Sequence, residues 1–109
     1  MKEHIGETIG SKYITDVRGK ARVVNGSEDL EKMLAGEIVV AKTIHPYQAP
    51  YFLKSKGIIV EEATRLQHAS ILAREVGIPC ITIKNAVNIF KNGDTLLLKS
   101  RQGKVISLD

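Results

Sequence analysis

The sequence predicts an α/β domain: a central sheet of mainly parallel strands, a few short helices, and a small β-hairpin layer. Three observations predict it. Residues 37–42 and 57–61 are compact apolar runs of strand length bounded by turn signals, the pattern of strands buried on both faces. Short stretches with helical spacing lie between and after them, and this alternation of strand and helix marks the α/β class. The chain then closes with two strand-like runs about Gln102-Gly103, a hairpin signal. With 109 residues, 43% hydrophobic and 26% charged, there is material for one domain with its own core.

Residues 1–10 carry little pattern and read as an arm or an added edge, leaving residues 11–109 as the domain. Residues 12–24 are rich in β-formers and read as two strands about Gly19, or one strand bulged there. Asn25-Gly26 is a turn, and Ser27 caps a helix running to about Ala35. Glu28, Asp29 and Glu31 suit its positive end; Leu30, Met33 and Leu34 form its apolar stripe, and Gly36 ends it. After the 37–42 strand come Thr43, Ile44, His45 and Pro46. A helix begins near Pro46 or Pro50, packs through Tyr51, Phe52 and Leu53, and closes at Lys56-Gly57. Past the 57–61 strand and the stretch treated next, residues 79–84 form a strand with Ile81 and Ile83 on one face. Residues 88–90 read as one helical turn, and Asn92-Gly93-Asp94 leads into the hairpin of residues 95–108.

The organising stretch is residues 61–80. It reads as a strand end, a polar turn, a short helix and the start of a strand. Ala69, Leu72, Ala73 and Val76 make one apolar helical face. Gly77 is placed for the left-handed residue that ends a helix, and Pro79 stops its resumption. His68 falls at the front of that helix. Unpaired amide N–H groups and the positive helix end favour anions there and hold an imidazole toward its neutral form. A neutral imidazole can attack phosphorus, and the same N–H groups would then hold the phosphoryl dianion. The other reading of His68 is a partly exposed histidine that begins a packing helix.

This stretch resembles the phosphohistidine signature of the mobile, or swivelling, domain of the phosphoenolpyruvate-utilising enzymes, roughly G-G-x-T-S-H-x-A-I-x-A-R-E-x-G-I-P. His68 takes the phosphohistidine position. Ile71, Ala73-Arg74-Glu75 and Gly77-Ile78-Pro79 follow in register, and Arg65 matches an arginine that some members carry. Ala63-Thr64 stands in place of Gly-Gly, Leu66-Gln67 in place of Thr-Ser, and Ser70 in place of a frequent alanine. Gly36-Glu37 with the following apolar run is similar to the family's G-D-I-L-V-A segment. The resemblance covers residues 11–109 and is specific from Gly36 to Cys80.

The resemblance implies a swivelling β/β/α three-layer domain with a mainly parallel central sheet. It implies a phosphoryl carrier in which His68 reacts through Nε2, with Thr64, Arg65, Gln67 and Ala69 around the phosphate. Thr64 would supply a hydroxyl, and Arg65 a planar cation suited to phosphate. It also implies separate ATP-binding and phosphoenolpyruvate- or pyruvate-binding domains or chains as partners. The lost glycines support a second reading, a degenerate swivel domain that is never phosphorylated and serves as a structural or regulatory interaction module. Loss of Gly-Gly makes close approach of backbone N–H groups to an anion harder.

Other classes are disfavoured. The net charge of +4 comes from scattered lysines, and an aromatic content of 5% gives little to stack on bases, so no nucleic-acid partner is expected. No apolar run approaches the ~20 residues of a membrane span. The residues at the start of the chain are polar and unlike a signal peptide. The single cysteine, Cys80, excludes an internal disulfide and fits a reducing, cytoplasmic location. His4, His45, His68 and Cys80 match no zinc spacing, so no metal is expected, and no resident cofactor either. Arg74 reads as structural. Glu75 lies about 10 Å along the helix axis from His68, too far for contact. His45 is a supporting candidate or a solvated loop residue.

Overall fold

The branched side chains of Ile38, Val39 and Val40, of Ile58, Ile59 and Val60, and of Ile81 set the centre of the molecule. They favour extended backbone and leave no polar face to expose. In the computed structural model, which describes residues 1–9, 16–43, 45, 48–52, 54–61 and 77–108, they form three adjacent strands. The strands in chain order are β1 (Lys2–Ile5), β2 (Glu7–Thr8), β3 (Val17–Val24), β4 (Ile38–Ala41), β5 (Gly57–Val60), β6 (Cys80–Thr82), β7 (Thr95–Lys99) and β8 (Lys104–Ser107). Their spatial order is β1-β8-β7-β3-β4-β5-β6-β2.

The sheet is mixed. β3, β4, β5 and β6 run parallel in sequence order, with Val23 opposite Val40, Val40 opposite Ile59, and Ile59 opposite Ile81. The pairings β1–β8, β2–β6, β3–β7 and β7–β8 are antiparallel. A mainly parallel sheet was the expectation; it holds for β3 to β6 and fails for the whole. The reason lies in β3. Its first half, from Val17 to Lys20, pairs antiparallel with β7, and its second half, from Ala21 to Val24, pairs parallel with β4. One continuous strand therefore joins a parallel ladder to the hairpin's antiparallel ladder.

Side chains along the parallel strands alternate between two cores. Ile38, Val40, Ile59 and Ile81 pack with Leu96, Leu98 and Val105 of the hairpin. Val39, Ala41, Ile58, Val60 and Cys80 pack with Leu30, Met33 and Phe52. The helices are short: α1 (Ser27–Glu31), α2 (Ala49–Phe52) and α3 (Ala86–Ile89). α1 stops four residues before the expected end, so Leu30 and Met33 are buried while Leu34 is 65% exposed. Gly77 adopts φ 78°, the left-handed backbone expected of it. The 69–76 helix lies outside the described residues, as does Leu53.

β1 and β2 stand at opposite ends of the strand order yet are joined by Gly6 alone. The Gly6 N–H donates to the Gly103 carbonyl oxygen at 2.8 Å. A Cβ at Gly6 would collide with the Thr82 carbonyl oxygen, so only glycine fits this passage. Residues 2–8 thus strap the two ends of the sheet together, which gives it a nearly barrel-like closure.

Candidate functional site

Parallel strands deliver their connections to one edge, and in α/β folds ligands bind at the carboxyl ends of the strands. Here that edge is formed by the ends of β3, β4 and β5. β3 gives way to the turn Asn25-Gly26 and α1. Asp29 fixes the turn: its Oδ2 accepts the N–H of Asn25 at 2.7 Å and of Gly26 at 3.1 Å. The Asn25 N–H is the main cause that holds the Asp29 carboxyl below its ordinary pKa.

One strand over, β4 ends at Ala41, and Lys42, Thr43 and His45 follow. His45 and Gln48 clasp each other. The His45 N–H donates to Gln48 Oε1 at 3.0 Å, and the Gln48 N–H donates to the His45 carbonyl oxygen at 2.9 Å. Gln48 is buried. Between the two turns lies a cleft of about 290 Å³, lined by Val24, Asn25, Gly26, Ser27, Lys42, Thr43, His45 and Gln48. Thr43 Oγ1 is buried and has no hydrogen-bond partner among the described residues. Such an orphan is uncommon, since buried hydroxyls are normally paired.

β5 exits at Glu61, beside the cleft's β4 wall. The Glu61 N–H donates to the Lys42 carbonyl oxygen at 3.3 Å, and Glu61 Oε2 accepts the Val87 N–H in the first turn of α3 at 2.7 Å. The chain is therefore held at both neighbours where residues 62–76 depart. Behind the edge, Arg22 grips Glu37 through two bonds of 3.0 Å, Nε to Oε1 and Nη2 to Oε2. Glu37 Oε1 also accepts the Leu34 N–H at 2.7 Å. The hydrogen bond to Glu37 raises the Arg22 pKa. This fork ties β3 to the foot of β4 and sets the spacing of the two strands that flank the cleft.

Of the site residues expected from sequence, Thr64, Arg65, Gln67, His68 and Ala69 lie outside the described residues. His45 is half-buried and lines the cleft. Lys42 and Thr43 had no chemical role in the sequence reading. In sequence they show only a place just after a buried parallel strand, which by itself marks no chemistry.

Comparison with known proteins gives consistent results. Residues 33–103 match the family described as PEP-utilising enzyme, mobile domain. A phosphoenolpyruvate synthase of Neisseria meningitidis is 29% identical over 99 residues, which is 90% of this chain and 12% of that protein. A rifampicin phosphotransferase of Bacillus subtilis is 29% identical over 90 residues, 82% of this chain and 10% of that protein. The chain spans about a tenth of the length of these curated relatives. Among solved structures, Thermococcus kodakaraensis aconitase X in its holo-form superposes with a TM-score of 0.72 over 100% of both chains at 19% identity. That likeness is one of fold alone.

Proposed function

The chain belongs to the family of mobile domains of phosphoenolpyruvate-utilising enzymes, and from that we propose that it is a phosphoryl carrier working through His68. The match over residues 33–103, which contains His68 in the signature register, carries the reading. The swivelling β/β/α description goes with it: the hairpin packs on one face of the parallel ladder, and α1 and α2 on the other.

In the forward step, the lone pair of the neutral His68 Nε2 attacks the phosphorus of a donor. An N–P bond forms as the donor's bridging P–O bond breaks, and the departing oxygen keeps the electron pair. In the second step an acceptor oxygen attacks phosphorus, the N–P bond breaks, and the imidazole regains its lone pair. Thr64, Arg65, Gln67 and the Ala69 N–H would hold the phosphoryl oxygens. The donor is a nucleotide on one partner, and the other partner handles phosphoenolpyruvate or pyruvate. The name of the phosphoenolpyruvate synthase supports the phosphoenolpyruvate side of that pairing and the name of the rifampicin phosphotransferase supports phosphoryl transfer, and this chain spans about a tenth of each.

The second reading is a non-phosphorylated interaction module. Ala63-Thr64 and Leu66-Gln67, where the signature has Gly-Gly and Thr-Ser, favour it. Intact mass at alkaline pH, on protein incubated with ATP or phosphoenolpyruvate and extract of the native source, separates the two. The carrier gains a phosphate-sized, acid-labile increment that His68→Ala lacks. Absence of any increment leaves the interaction module.

A further inference from the structure

We propose that the outer face of the antiparallel ladder β1-β8-β7-β3 is a docking surface for a partner protein whose own surface is acidic around an apolar centre. The inference stands apart from the carrier reading and does not need His68 to take up phosphate.

Register and alternation define the face. Leu96, Leu98 and Val105 point into the core shared with the parallel strands, so Leu97, Lys99, Lys104 and Ile106 point out. The pairings lay rows across the ladder: Glu3, Ile106, Leu97 and Arg18 in one, Ile5, Lys104 and Lys99 in the next. Lys20 and Thr95 belong to a third, and the bond from Lys20 Nζ to Thr95 Oγ1 at 2.7 Å joins them on this side. The described helices leave the face bare: α1 and α2 pack behind the parallel strands, and α3 packs in the shared core.

Two features set this face apart from an ordinary solvated one. At its centre Leu97 and Ile106 are paired and only partly buried, and Ile5 nearby is 76% exposed. Around them stand Arg18, Lys20, Lys99 and Lys104, against one acid, Glu3, whose Oε1 lies 3.8 Å from Lys104 Nζ. Lys99 and Lys104 sit directly opposite each other. Like charges in that relation destabilise a sheet, and a broken local rule is where function is to be sought. A carboxylate set between them turns repulsion into attraction. A second copy docked by twofold symmetry would lay cations on cations. The rows hold no aromatic ring on which a base could stack, and a flat sheet face lacks the deep apolar side of a bilayer-bound helix. An acidic protein surface is the occupant that fits. The relatives, of which this chain spans about a tenth, carry their matching segment beside much further protein. Four strands and three rows cover about 400 Å². That is half of the ~800 Å² each partner gives to a stable interface, so the contact is a weak, releasable one.

The test uses the full chain with photoreactive benzoylphenylalanine in place of Leu97 or, as a control, of Leu34, an exposed leucine after α1. Each is irradiated in extract of the native source, and mass spectrometry of the cross-linked peptide identifies the captured protein and the segment touched. One protein is expected from Leu97 and not from Leu34, held through a segment rich in Asp and Glu that also carries apolar residues. Purified, that protein should bind the unmodified chain less tightly as salt rises. Lys99→Glu should weaken binding about tenfold or more, and Lys99→Arg should keep it. The same Lys99→Glu sets an opposite charge against Lys104, so the urea midpoint of the free chain should rise while docking is lost, which a merely structural lysine would not give. Equal capture from both positions, no capture, a captured segment without net negative charge, or unchanged affinity in Lys99→Glu overturns the proposal. So do cross-links to nucleic acid, to lipid or to a second copy. Intact-mass loading of His68 is scored separately. Loading without docking removes this surface and leaves the carrier; docking without loading does the reverse.

Discussion

Thr43→Val exchanges a buried hydroxyl for a methyl group of nearly the same shape. Thr43 Oγ1 has no hydrogen-bond partner among the described residues, so the exchange removes a desolvation cost and breaks no bond. An unsatisfied buried hydroxyl costs about 1–3 kcal/mol. Thr43 as a residue is only half-buried, which places the gain near the low end, about 1 kcal/mol. Unfolding entropy near 60 °C is about 2.1 cal/mol/K per residue, or ~0.23 kcal/mol/K for this chain, so Tm should rise by about 4 °C. Urea unfolding should show a higher midpoint at an unchanged m-value. If Thr43→Val instead lowers stability by about 1 kcal/mol or more, the hydroxyl has a partner and the burial reasoning fails.

Two other outcomes follow from the described contacts. Glu37→Ala strands a largely buried guanidinium and the Leu34 N–H together; a loss of about 3 kcal/mol in urea unfolding is expected, and removal of Arg22 as well should recover part of it. Burial pushes the Cys80 thiol up to about 12 from an ordinary value of 9. An aromatic disulfide reagent at pH 8 should therefore label it only on unfolding. The folded chain keeps a proton there that the unfolded chain releases above pH 9. Stability should then fall between pH 9 and 12 more steeply than in Cys80→Ala, and equal slopes would contradict the burial argument.

The parallel strands were legible because nothing else explains Ile38 to Val40 and Ile58 to Val60: uninterrupted apolar runs without helical length must be covered on both sides. The hairpin was legible from its glycine turn. The extent of α1 was not. Leu34 continues the helical spacing, but Glu37 draws in the Leu34 N–H and Arg22, and that tertiary grip ends the helix early. The strands β1 and β2 were also hidden. Lys2–Ile5 and Glu7–Thr8 show no alternation and are mostly exposed, and their extended form comes from β8 and β6. For the site, sequence marked the edge where the strands end; His68, its chemical candidate, lies outside the described residues. It could not mark Lys42 and Thr43, because a lysine and a threonine after a strand are commonplace until a cleft is seen between two turns.

The strap through Gly6 has a consequence for how such a domain meets others. An exposed strand end-row of N–H and C=O groups is an invitation to any passing extended chain, and a sheet that offers one sticks. Here the positions outside β8 and β6 are taken by one short segment of the same chain, so removing that segment would open both flanks of the sheet at once. β1 and β2 become the end strands instead, and their charged, exposed residues Lys2, Glu3 and Glu7 discourage backbone pairing there.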